Sequence, residues 1–279
     1  MKKILLAINA LDPDKNSLEF ACYLGRLTNS GITGIFLENY GNEEIFKLKP
    51  AFKYIYSGTQ VNDHSEDHLS RAELIEKNIL SYKESSVNRG INFNFHRDRG
   101  VPVQELITES RYADIMVVDP ATSFNKNFEG TPTDFIKNVL KNTECPVIIA
   151  PEGFEAIDEI IFTYDGSASS VFAIKQFTYI FPQLHDKKIN VVHINDTGEW
   201  NDVNRFKLKE HLKNYYYDLN FEVLKGNIYN NLIEYVFKKK NTFLVMGAYG
   251  RNSLSRFFKP SRADLIIKTI PQPIFIAHF

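Results

Sequence analysis

The chain carries the same succession of apolar runs twice. The first copy opens on Lys3-Ile4-Leu5-Leu6-Ala7-Ile8 and the second on Glu159-Ile160-Ile161-Phe162-Thr163-Tyr164. A helical pattern follows each, through Leu18, Ala21, Leu24 and Leu27 in one and Val171, Ile174 and Phe177 in the other. Next come Ile32 to Leu37 and Ile189 to Ile194, then Phe93-Asn94-Phe95 before Gly100 and Phe221-Glu222-Val223 before Gly226. A fourth apolar run covers Asp114 to Val118 and Thr242 to Met246, and each copy closes on a proline-led run, Pro146 to Ala150 and Pro273 to Ala277. A chain that repeats itself in this way must fold the same unit twice.

Runs that are apolar throughout cannot have a wet face, so as strands they are covered on both sides. Helical patterns of ten or more residues separate them, which is the spacing of parallel strands joined by crossover helices. The expected fold is therefore α/β: two tandem, doubly wound, Rossmann-like parallel sheets of five strands each, with four helices between the strands. Pro151, Glu152 and Gly153 mark the joint. This places domain 1 at residues 1–152 and domain 2 at residues 153–279, with a linker short enough to make them pack together.

A length of 279 residues suits two domains of this kind. With 33 basic and 34 acidic residues, the formal charge of −1 provides no broad attraction to nucleic acid or an anionic membrane. The apolar run after Met1-Lys2-Lys3 is too short for a signal peptide and reads as a first strand, and no stretch has the length of a membrane span. A cytoplasmic location is expected. Cys22 and Cys145 fall in apolar patterns and read as reduced packing residues.

Ligands of open parallel sheets bind beyond the carboxyl ends of the strands. In the second copy those ends carry Tyr164-Asp165-Gly166-Ser167, Val192-His193-Ile194-Asn195-Asp196 and Met246-Gly247-Ala248-Tyr249-Gly250. Nine residues separate Gly250 from Pro260-Ser261, which open a helix containing Ala263, Leu265, Ile266 and Ile267. Two glycines three apart allow close approach to a phosphate, and a helix N-terminus presents free N–H groups to an anion. Arg251 and Arg256 add positive charge to the loop. Taken alone, the same residues also describe a turn and an ordinary serine N-cap.

Taken together across both copies, these residues resemble a tandem universal stress protein, of the adenine nucleotide alpha hydrolase-like fold. The resemblance implies stress-response function and ATP, with Mg2+, as ligand. Asp165 would meet the adenosine, beside backbone groups of Thr163 and Tyr164, with Ile194 near the base. Met246, Gly247, Tyr249 and Gly250 would surround ribose and phosphates. Ser261 and the N–H of Arg262 would bind phosphate. Pro260 stands where the family has a third glycine. It removes an N–H and fixes φ, and each charge-assisted hydrogen bond lost weakens binding by about 1.5–3 kcal/mol.

In the first copy Asn9 replaces Asp165, Asp119 and Thr122 replace the two glycines, and Pro132-Thr133 replaces Pro260-Ser261. An Asp at a phosphate loop repels phosphate, so this copy is expected to be a degenerate site. The alternative function is a scaffold of the same fold that binds no nucleotide, its last strands forming an interface within or between chains. A pseudo-dimer within one chain and a homodimer are both consistent with the family.

No catalytic residue is expected, since loops such as His-x-Gly-His or Gly-x-Ser-x-Gly are missing from the sequence. Slow ATP hydrolysis by a bound nucleotide is left open. His64 and His68, four apart, read as a solvated helix start before a metal pair, and His193 as a satisfied core histidine. Lys207, Lys209 and Lys213 read as the wet side of a helix, and Lys238-Lys239-Lys240 as a helix C-terminus. The stretch from Glu38 to Asp67, with Tyr40, Phe46, Phe52, Tyr54 and Tyr56, reads as a cover for a site or interface.

Overall fold

The computed structural model describes residues 1–39, 66–98, 100–125, 127–248 and 260–278, and for 66–69, 260 and 261 the backbone alone. In the first half β1 (Lys3–Asn9), α1 (Lys15–Thr28), β2 (Gly31–Leu37), α2 (Glu66–Asn88) and β3 (Phe93–Asp98) lead to α3 (Pro102–Ser110), β4 (Ile115–Val118), α4 (Asp134–Asn142) and β5 (Val147–Ile149). The second half repeats the order with β6 (Glu159–Tyr164), α5 (Ala168–Ile180), β7 (Lys188–Asn195), α6 (Asp202–Leu212) and β8 (Leu219–Lys225). It continues with α7 (Ile228–Phe237), β9 (Thr242–Gly247), α8 (Pro260–Thr269) and β10 (Ile274–Ala277). The expected α/β class is observed, with the strands where the apolar runs fall.

Among the described residues, ten strands form one sheet in the order β3-β2-β1-β4-β5-β10-β9-β6-β7-β8. Each half has the order 3-2-1-4-5, so sequence neighbours part company at the first and fourth strands and a crevice opens there at the carboxyl ends. Pairing is parallel within each half. The halves meet through the antiparallel pair β5–β10, with Ile149 opposite Ile274, Ile148 opposite Phe275 and Val147 opposite Ile276. The last strands thus join the two copies inside one chain.

Local chemistry sets the helix starts. Asp14 accepts from the N–H of Ser17 ahead of α1, Thr133 from Ile136 ahead of α4, Ser167 from Ser170 ahead of α5, and Asn227 from Asn230 ahead of α7. Each cap satisfies an N–H that the helix itself leaves unpaired. One face of the sheet is lined by residues such as Ile4, Leu6, Phe162 and Tyr164, the other by Leu5, Ala7, Ile161 and Met246. On the first face Phe177 lies 5.1 Å from Phe243 and 5.3 Å from Phe275, and Phe20 lies 6.0 Å from Phe243, so aromatic packing runs across the seam. The joint is packed as well: the ring of Phe154 sits 4.9 Å from Phe20.

Cys22 and Cys145 are buried free thiols, as their apolar settings imply. The exposed faces of α6 carry the lysines expected there, and Lys238 caps the end of α7. His64 and most of the stretch from Glu38 to Asp67, including its aromatics, lie outside the described residues, as do the side chain of His68 and the residues Arg251 and Arg256.

Candidate functional site

The carboxyl ends of β6, β7 and β8 are organised by polar side chains that follow each strand. After β6, Asp165 Oδ1 accepts from the N–H of Ser167 at 2.8 Å, closing a turn through Gly166 at φ +79°. Glycine is at home in that left-handed region. After β7, Asn195 uses both ends of its amide. Its Nδ2 donates to Glu199 O at 2.7 Å, and its Oδ1 accepts from Gly198 N at 2.6 Å and Thr197 Oγ1 at 3.1 Å. The turn from 195 to 199 is thereby fixed, and Gly226 N donates to Asn195 O at 2.9 Å to tie it to the end of β8.

His193 is satisfied on both ring nitrogens. Nδ1 lies 2.8 Å from Tyr164 O, which can only accept, so Nδ1 carries the proton and Nε2 accepts from Asn195 Nδ2 at 2.8 Å. The reading of a satisfied histidine agrees with this geometry. Trp200, which the sequence did not single out, stacks on Tyr164 with centroids 5.5 Å apart and planes at 21°, and lies 4.9 Å from His193. Burial, with Asp165 adding to it, holds the Tyr164 phenol above its ordinary value.

Beyond β7 and β8 a cavity of about 570 Å³ opens. Ile194, Asn195, Asp196, Asn227, Tyr229 and Arg262 are among its lining residues. The structure therefore brings two of the sequence-expected positions, Ile194 and Arg262, to one hollow from strand and helix ends 68 residues apart in the chain. The others fall elsewhere. Asp165 sits half-buried at the end of β6. Thr163 is buried and donates its hydroxyl to Val245 O at 3.0 Å, and Met246 is fully buried in the core. Tyr164 turns its ring into the opposite face, and its carbonyl is held by His193. Tyr249 and Gly250 lie outside the described residues. Pro260 and Ser261 open α8, as expected of a proline at a helix start.

Gly247 has a packing role. A Cβ there would lie 2.3 Å from Ser169 O and 2.6 Å from Ser170 N, so the first turn of α5 closes on it. The sequence showed Gly247 as a loop glycine and missed this contact. Asp196 was placed at the crevice only as part of the second strand's end, with no role, and Asn227 and Tyr229 were missed as lining residues. Gly226 at the strand end, followed at once by polar Asn227, was the available signal.

The first half spends its equivalent groups on itself. Asn9 Nδ2 donates to Ser123 O at 3.1 Å, Asp119 accepts from Ala121 N at 3.0 Å and Thr122 Oγ1 at 3.3 Å, and Thr133 Oγ1 donates to Thr122 O at 2.5 Å. Glu38, next to the end of β2 and 1% exposed, is paired with Arg97 of β3, which also reaches Glu76 at 3.0 Å. Burial, with Asp14 and Asp12 nearby, raises the Asp119 carboxyl above its ordinary value.

Among the described residues no group of three His, Cys, Asp or Glu is arranged to hold a metal ion, and no helix is long and apolar enough to cross a membrane.

No family model matches the chain. It is 19% identical over 289 residues to the universal stress protein Slr1230 of Synechocystis sp. (strain ATCC 27184 / PCC 6803 / Kazusa), an alignment covering 98% of this chain and 99% of that one. Among solved structures, a universal stress protein from Archaeoglobus fulgidus matches at 18% identity and a TM-score of 0.69, covering 99% of this chain and 98% of its own. A putative universal stress protein from Pseudomonas aeruginosa UCBPP-PA14 matches at 14% identity and a TM-score of 0.56, covering 100% and 93%. These structures share the fold. The resemblance to tandem universal stress proteins therefore holds over both halves of the chain.

Proposed function

We propose that this universal-stress-type chain is a stress-response protein that binds an adenine nucleotide, ATP with its Mg2+, at one site in the second half. The supporting observation is the cavity that joins Ile194 to Arg262 at the carboxyl ends of β7 and β8. An apolar wall beside a guanidinium suits a base at one end and an anion at the other. The start of α8, where Pro260 and Ser261 stand, adds the favourable end of a helix dipole for phosphate. In the first half the corresponding groups are engaged with one another, which supports a degenerate copy, domain 1 at residues 1–152, behind a binding copy at 153–279.

The role is binding without a dedicated catalytic group, in the cytoplasm, with no nucleic acid or membrane partner. A second reading, a scaffold that binds no nucleotide, draws support from Gly247, whose lack of a side chain is accounted for by Ser169. Calorimetric titration of the full chain with ATP and Mg2+, beside a Gly250→Asp variant, separates the two. Saturable binding near one site per chain, lost in the variant, is expected. A folded protein that gives no heat and no thermal shift at millimolar ATP would leave the scaffold reading standing.

A further inference from the structure

Asp196 is the one carboxylate among the described residues that line the second-half cavity, and Arg262 is the one cation. No hydrogen bond or ion pair to another described residue engages the Asp196 carboxylate. Its place is nonetheless set. Asn195, the residue before it, is bonded through both ends of its amide and through its carbonyl, so the backbone that presents Asp196 is held. The matching residue of the first half is Asn39, whose Nδ2 donates to Phe124 O at 3.3 Å. One copy uses this position to fasten its own loop, and the other leaves a charged acceptor at the mouth of a cavity.

A carboxylate there repels phosphate and attracts hydroxyl donors. Two adjacent hydroxyls can each donate to one of its oxygens, and such charge-assisted bonds are the stronger kind. An acid just past the second strand of a doubly wound sheet is also where ribose hydroxyls are read in dinucleotide folds. We propose that Asp196 is a specificity residue that accepts hydrogen bonds from the ribose hydroxyls of the bound nucleotide, so that the site selects ribonucleotides over deoxyribonucleotides. This rests on the nucleotide reading above and adds to it the sugar that the site requires.

The test is calorimetry on the full chain with Mg2+ and either ATP or 2′-deoxy-ATP, for the wild type, Asp196→Asn and Asp196→Ala. Asp196 is exposed, and Trp200 fluorescence checks that the variants remain folded. The wild type is expected to bind ATP about ten- to a hundredfold more tightly than 2′-deoxy-ATP, the worth of one charge-assisted hydrogen bond. Asp196→Ala loses both hydroxyl contacts and is expected to bind both nucleotides equally, more weakly than the wild type binds the deoxy compound, with Asp196→Asn between. Equal affinities in the wild type, or a preference that survives in Asp196→Ala, would overturn the assignment while leaving nucleotide binding intact. Binding of neither nucleotide by the wild type would overturn both.

Discussion

Gly247 at the end of β9 lies against the backbone of Ser169 in α5, so closely that an added Cβ would come within 2.3 Å of the Ser169 carbonyl oxygen. Backbone cannot swing aside as a flexible side-chain tip can. Gly247→Ala is therefore expected to destabilise the protein by about 1–3 kcal/mol or more, the range for overpacking a well-filled site. A urea denaturation midpoint that does not move would contradict this contact. Loss of nucleotide binding in a Gly247 variant would accordingly report the fold before it reported the ligand.

The same residue shows where sequence reading stops. The strands were legible because a strand covered on both faces must be apolar along its whole length, as Ile160 to Phe162 and Phe243 to Met246 are. Helix starts were legible where a Ser, Thr or Pro stood at the cap, as at Ser167 and Thr133. The contact of Gly247 with Ser169 was not, because it joins residues 78 positions apart through backbone atoms that carry no residue-type signature. The site was half legible. Ile194 and Arg262 were found by matching positions, whereas Asn227 and Tyr229 line the cavity only because β7 and β8 end side by side. The pairing of Glu38 with Arg97 was hidden for the same reason, since the register of β2 against β3 brings them together.

That pair gives a second prediction. Glu38 is 1% exposed, and its Arg97 partner is held between two acids, Glu38 and Glu76. Removing the guanidinium takes a counter-charge away from a buried carboxylate, which costs up to about 3–5 kcal/mol. Arg97→Met should lose up to that much stability by urea denaturation, and a double variant, Arg97→Met with Glu38→Gln, should recover part of it. No recovery in the double variant would show that the charge pairing was unimportant.

The seam between the copies should make the two halves unfold together. Phe275 in β10 is fully buried, pairs with Ile148 of β5, and packs against Phe177 of α5. Phe275→Ala is expected to cost about 3–5 kcal/mol. Trp200 reports the second half, and the buried thiols of Cys22 and Cys145 report the first, the Cys145 thiol being pushed up to about 12 by burial. Fluorescence and thiol labelling should give coincident transitions in the wild type and a common shift in the variant. Separate midpoints would mean that the halves are energetically independent despite the shared sheet.

Asp119 supplies a pH dependence with a definite sign. It sits at the end of β4 in the degenerate copy, where burial first, then Asp14 and Asp12, raise its carboxyl above the ordinary 3.8, against the opposing hydrogen bonds from Ala121 and Thr122. The folded chain thus keeps this proton to higher pH than the unfolded chain does. Across the window between 3.8 and the raised value the folded state binds more protons, so this group's contribution makes stability fall as pH rises. Above the window the ionised carboxylate stays half-buried and the loss is complete. Asp119→Asn keeps an acceptor for the Ala121 N–H and removes the charge. It should be more stable than the wild type at pH 7, with the advantage shrinking through the window and gone below about pH 3.8. Urea midpoints of the two proteins at a series of pH values test this, and a difference that stays constant with pH would rule out the ionisation of Asp119 as its cause.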